Sequence, residues 1–136
     1  MTDKQRTTRN EAHLPNLSYV FRRKVKAIIA ALEGWGWRPV IIESLRTVAE
    51  QKAKVEAGES GTMSSKHLKQ ADGFAHAVDM VCDGIWWKAE EPGFAAYRIM
   101  QGHLAKTREG VRWGGGWKSY GPWGDWAHIE YQPKTS

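Results

Sequence analysis

At 136 residues, with 41% hydrophobic and 26% charged residues, the chain has the size and composition of one globular domain spanning residues 1–136. Its single cysteine, Cys82, excludes an internal disulfide and a cysteine-rich zinc finger, and no apolar run approaches the roughly 20 residues of a membrane span. The formal net charge of +5 favours a polyanionic partner: nucleic acid, an anionic membrane or an acidic cell wall.

In chain order, the polar stretch to Pro15 reads as a mobile or loosely docked lead-in without the apolar core of a signal peptide. Ser18 is placed to cap a helix reaching Leu32, and Gly34 to stop it. Phe21, Val25, Ile28, Ile29 and Leu32 make one apolar stripe, with Arg22, Arg23, Lys24 and Lys26 among the intervening positions. The β-branched run from Arg38 to Ser44 predicts a buried strand. Thr47 and Glu50 have capping-box spacing, which predicts a helix from Val48 to Gly58 and puts Arg46 on the strand-to-helix turn.

Residues 58–75, rich in glycine and serine, read as an extended loop, and Ala75–Val81 as a second strand turned out by Asp83-Gly84. Cys82, in that apolar run, reads as a buried, inert thiol. Pro92 can open a helix with Tyr97, Met100 and Leu104 on its inner face, ended by Gly110. Short strands are expected at Val111–Trp113 and His128–Tyr131, with a glycine- and tryptophan-rich loop between them. The order of elements predicts an α+β fold: a small, mostly antiparallel sheet with helices packed on it. Of the eight tryptophans, Trp117 and Trp123 are flanked by loop glycines and are the candidates for walling a cleft.

Chemistry concentrates in Ser65–Met80, which carries His67, His76 and Asp79, and in Asp125-Trp-Ala-His128. Imidazole and carboxylate are suitable zinc ligands when they converge from separate elements and leave a position open for water. His67, Asp79 and His128 can meet if the last two strands are neighbours, while Asp72, His76, Glu43 and Glu130 compete as candidates. On a strand, His76 and Asp79 would point to opposite faces, whereas Glu130 shares a face with His128 and rivals Asp125 as base. His13 and His103 have no sequence partner and read as ordinary histidines.

Ser65-Lys-His67, Gly73 and Ala77-Val-Asp79 resemble the S-x-H-x-x-G-x-A-x-D signature of the zinc D-Ala-D-Ala carboxypeptidases and L-alanyl-D-glutamate peptidases, the VanY-like family. Asp125-Trp-Ala-His128 resembles that family's second signature, Trp113-Gly-Gly-Gly-Trp117 the W-G-G-x-W element of its phage endolysins, and Ser44–Gln51 its arginine-threonine segment. The resemblance covers roughly residues 38–131. It implies a hedgehog/D,D-peptidase-like fold with one zinc ion in a cleft, held by His67, Asp79 and His128, with Asp125 as catalytic base. It further implies that Arg46 binds substrate or stabilises the oxyanion, with Ser65, Gln51 and Trp117 as further substrate contacts.

One departure stands out: Asp79 follows His67 by twelve residues instead of the family's seven, as if five residues were inserted within 68–75. The implied activity is hydrolysis of a peptidoglycan stem peptide by a monomeric phage endolysin, at L-Ala–D-Glu or, as runner-up, at D-Ala–D-Ala. Nucleic acid is not an expected partner. Synthesis in the host cytoplasm and access to the wall after membrane permeabilisation are the matching expectations. A non-catalytic wall-binding module with a structural zinc, its fourth position filled by Asp72 or His76, is the alternative from another class.

Overall fold

The computed structural model describes residues 1–133. Four strands, β1 (Pro39–Glu43), β2 (Ala77–Cys82), β3 (Val111–Trp113) and β4 (His128–Tyr131), form one sheet in the order β1-β2-β4-β3 with every neighbouring pair antiparallel. The helices are α1 (Asp3–His13), α2 (Tyr19–Gly34), α3 (Val48–Glu56) and α4 (Phe94–Lys106). This is the expected α+β architecture, with one additional helix at the N-terminus.

The apolar stripe of α2 is wholly committed to the core: Phe21, Val25, Ile28, Ile29 and Leu32 are all buried. Each such side chain contributes about 1.5–3 kcal/mol relative to exposure. Phe21 stacks on Tyr131, so α2 covers the sheet face that carries Ile129 and Tyr131. Strand alternation then sends His128 and Glu130 to the opposite face. The α2 helix runs past the expected stop, and the left-handed residue beyond its end is Gly36 rather than Gly34. The capping box at Thr47 and Glu50 is present on both sides and starts α3 at Val48 as the spacing predicts. The helix after Pro92 begins at Phe94, behind Gly93 in a left-handed conformation. From α4, Gln101 is fully buried and donates to the Met80 carbonyl at 3.0 Å, tying the helix to β2. Cys82 is buried, and that burial pushes its thiol up.

The first 15 residues are not a loose lead-in. Thr2 and Gln5 cap α1 reciprocally, and the helix docks against β1 through polar side chains. As the edge strand, β1 leaves backbone groups without a strand partner, and an open edge invites unwanted pairing. Asn10 fills that role: Oδ1 accepts from the Ile41 amide at 2.8 Å and Nδ2 donates to the Pro39 carbonyl at 3.1 Å. Arg6 reaches the same carbonyl at 3.1 Å and pairs with Glu33 of α2 at 2.7 Å. Sequence patterning overlooked the docking because it is carried by an amide and a guanidinium, not by an apolar stripe.

Substituting Asn10→Ala leaves the Ile41 amide buried without a partner. The expected loss is about 1–3 kcal/mol, the cost of stranding a buried polar group. Denaturant unfolding measures it, and an unchanged midpoint would show that α1 does not close the edge.

Candidate metal centre and cleft

Register builds the site first. Asp79 of β2 stands directly opposite His128 of β4, and Ala77 opposite Glu130. Directly paired residues in an antiparallel ladder share a face, so Asp79, His128 and Glu130 line one side of the sheet, away from α2. On the other flank, β1 slips register between Ile41 and Glu43, which brings Glu43 opposite Asp79 and extends the polar row.

His67 arrives from the long loop and is locked in place by backbone. Its Nδ1 lies 2.8 Å from the Ser44 carbonyl, its amide donates to Ser65 Oγ at 3.1 Å, and its own carbonyl accepts from the Arg46 amide at 2.8 Å. A carbonyl can only accept, so Nδ1 carries the proton there, and in the neutral ring the free lone pair belongs to Nε2. That Nε2 is buried without a hydrogen-bond partner, 3.3 Å from Asp79 Oδ1.

His128 mirrors the arrangement. Its Nε2 meets Glu130 Oε1 at 2.8 Å and its Nδ1 faces Asp79 Oδ1 at 3.2 Å. Ligand atoms of His67, Asp79 and His128 all lie within 4.8 Å of one another, and among the described residues this is the cluster able to hold a metal ion. Two imidazoles and a carboxylate make a donor set suited to zinc, and each imidazole has its other nitrogen engaged, as metal-binding histidines do. The orphaned Nε2 of His67 is the clearest sign that the group was built for a ligand.

Electrostatics agree. Burial pushes the Asp79 carboxyl up, but contacts with His128 and His67 outweigh it and hold the group far below the usual carboxylate range. Burial likewise lowers His128, yet Asp79 and Glu130 overcome that and raise it to about 9. The cluster therefore favours a positive charge at its centre. Asp125 shifts the other way, raised by burial and then by the charge of Asp79.

Asp125 owes its position to glycine. Gly114 accepts from the Asp125 amide at 2.8 Å, and a Cβ on Gly114 would lie 2.4 Å from the Asp125 carbonyl oxygen. Gly124, at φ +61°, would similarly drive a side chain into the Gly114 and Gly115 carbonyls. The two loops touch backbone to backbone, which sets the Asp125 carboxylate 4.0 Å from His128 Nδ1.

These groups line a cleft of about 280 Å³ that also takes in Arg46, Ser65, Trp117 and Tyr120. Trp117 packs 5.1 Å from the His128 ring. Trp123, expected beside it, packs edge-on against Phe94 at 5.4 Å and does not line the cleft. Arg46 is held by Glu43 Oε1 at 2.6 Å and by a short bond to Gln51 Oε1. Gln51, expected to touch substrate, is fully buried and off the cleft lining. Its Nε2 donates to Ser60 Oγ at 2.9 Å and to the Thr62 carbonyl at 2.6 Å, so it buttresses both Arg46 and the loop beside it.

Sequence reasoning missed Lys54, Lys66 and Tyr120 as lining residues, because lone lysines and loop tyrosines carry no spacing signal. Residues 68–76 stay out of both the cleft lining and the ligand cluster. The His76 amide donates to the Lys66 carbonyl at 2.9 Å, closing the excursion at its base. His76 Nε2 pairs with Asp72 at 2.7 Å and its ring packs on Tyr131, so neither residue joins the cluster.

No protein-family model matches the chain. It is 28% identical over 130 residues to the L-alanyl-D-glutamate peptidase of Listeria phage A118, a match covering 93% of this chain and 42% of the relative's length. In structure it is similar to the Serratia marcescens L-Ala D-Glu endopeptidase ChiX, with TM-score 0.66, 26% identity, and coverage of 91% of this chain and 86% of that one. It also shares its fold with VanYB solved with D-Alanine-D-Alanine, at TM-score 0.54 and 18% identity over 85% of this chain and 71% of that one.

Replacing Gln51 with Leu removes one support of Arg46 and both tethers of residues 60–62. The expected cost is about 1–3 kcal/mol with faster proteolytic nicking between residues 58 and 65. Unchanged melting and unchanged nicking would deny Gln51 this part.

Proposed function

From the VanY-like fold and sequence of this chain, we propose that it is a zinc peptidase that hydrolyses peptidoglycan stem peptides at the L-Ala–D-Glu bond, acting as a phage-type endolysin. The observation that carries the reading is the convergence of His67 Nε2, Asp79 Oδ1 and His128 Nδ1 beside the Asp125 carboxylate in the cleft. The choice of bond follows the names of the two relatives above 25% identity. No helix is long and apolar enough to cross a membrane, and the wall would be reached after permeabilisation of the membrane.

His67, Asp79 and His128 would hold the zinc ion, and the chemistry it would supply there is Lewis acidity toward the scissile carbonyl and the attacking water. The chain's own groups do the rest. Glu130 and the Ser44 carbonyl each engage one imidazole nitrogen, which would leave the opposite nitrogens to serve as ligands. Asp125 takes the proton of the attacking water and delivers it to the leaving amine; its raised carboxyl pKa makes it a better base than an ordinary aspartate. Arg46, fixed by Glu43 and Gln51, offers a rigid cation to the developing oxyanion or to a substrate carboxylate. Trp117 forms an apolar wall for the peptide. This division of labour favours Asp125 over Glu130 as base, since Glu130 is already engaged by His128 at 2.8 Å.

Metal-stripped protein should be inactive on isolated peptidoglycan and recover with zinc, releasing new N-terminal D-Glu identifiable by mass spectrometry. New D-Ala termini would reassign the bond, and no new termini would favour a wall-binding module. His128→Ala should lose zinc, read by metal analysis of the purified protein. Asp125→Asn should keep zinc and lose about 10²-fold or more in rate, the scale of a positioned general base. Glu130→Gln should do less; the reverse ranking would make Glu130 the base.

A further inference from the structure

The basic run on α2 takes no part in the cleft. Arg23 and Lys24 instead line a groove of about 420 Å³ that shares no residue with the cleft. Arg108, just beyond α4, and the apolar Val20 and Ala27 belong to the same lining. Glu109 is the single acid on this lining, so the groove carries an excess of positive charge. A smaller hollow of about 190 Å³ shares Val20, Lys24 and Glu109 and carries the groove on to Gly110 and Tyr131.

Arg23 is exposed at this surface, and Lys24 and Arg108 are half-buried. The Arg23 guanidinium lies over the exposed Tyr19 ring, 5.8 Å from its centroid, which holds the charge at the surface. Arg108 Nε is buried and has no hydrogen-bond partner. Guanidinium groups recognise oxyanions through paired N–H donors, and two of the three cations here are arginines. Three cations against one acid, two of them guanidinium groups, fit a polyanion that repeats its oxyanions along the chain.

We propose that this groove is a second binding site, for a polyanionic strand of phosphodiester-linked units, the chemistry of an anionic wall polymer. Occupying it would hold the chain on a charged wall while the cleft works elsewhere. The site stands apart from the hydrolytic reading, because it shares no lining residue with the cleft and its test needs no turnover.

The test is titration of the full-length protein with soluble poly(glycerol phosphate), followed by calorimetry at low salt. An Arg23→Gln/Lys24→Gln variant should bind about tenfold more weakly or worse. Its dependence of log affinity on log salt should be shallower by roughly one to two, as expected when two charge contacts are lost. A charge-matched Lys4→Gln/Lys52→Gln variant, altered away from the groove, should bind within about twofold of the parent, the scale of a small non-specific charge effect. Arg108→Gln, on the same lining, should weaken binding independently. Equal weakening by both double variants would reduce the effect to net charge and overturn the site. So would parent protein that fails to bind the polymer, or that binds phosphatidylglycerol vesicles more tightly than the polymer.

Discussion

The pairing of Asp79 with His128 across β2 and β4 is the constraint on which the site depends. Side chains alternate along a strand, so slipping this register by one residue would turn His128 and Glu130 into the core and Ile129 out to the cleft. The register is fixed from behind. Val78 pairs with Ile129, both fully buried, and Tyr131 stacks on Phe21 of α2. The apolar face of the sheet therefore determines the geometry of its polar face. Two residues far apart in the chain are held together by the same packing that stabilises the fold.

Around that pair, backbone contacts replace side-chain packing. His67 is clamped through the Ser44 carbonyl and the Arg46 amide, which also fixes the strand-to-helix turn carrying Arg46. Asp125 is set by the contact of its own backbone with Gly114. His67 and Asp125 thus hang on loops whose paths are determined by main-chain hydrogen bonds, a rigid way to hold polar groups without apolar filling. The excess of carboxylates over cations at the centre follows. Asp79, Asp125 and Glu130 surround two imidazoles, which makes the cluster receptive to a cation while Arg46 stands at its margin.

The chain also divides its positive charge by place. Arg6 is consumed structurally, bridging α1, β1 and α2. Arg46 is drawn into the cleft, while Arg23, Lys24 and Arg108 gather on a separate groove. A formal net charge of +5 says that cations exceed anions, but burial and pairing decide which of them can meet a partner.

Much of this was legible in the sequence, where the determining forces are local. The α2 stripe, the Thr47–Glu50 capping box and the strand His128–Tyr131 follow from periodicity and capping chemistry, and they appear where expected. The group His67, Asp79 and His128 was singled out from competing candidates by its resemblance to known signatures, and its convergence had to be assumed. What needed the tertiary structure were the contacts between distant, polar or backbone groups. Asn10 closing the edge of β1 and Gln51 buried behind Arg46 are examples. So are Trp123 turned onto Phe94 and the excursion of residues 68–75 that closes on Lys66. Such contacts leave no period in the sequence, because an amide satisfying a strand edge obeys the position of its partner in space and not its spacing along the chain.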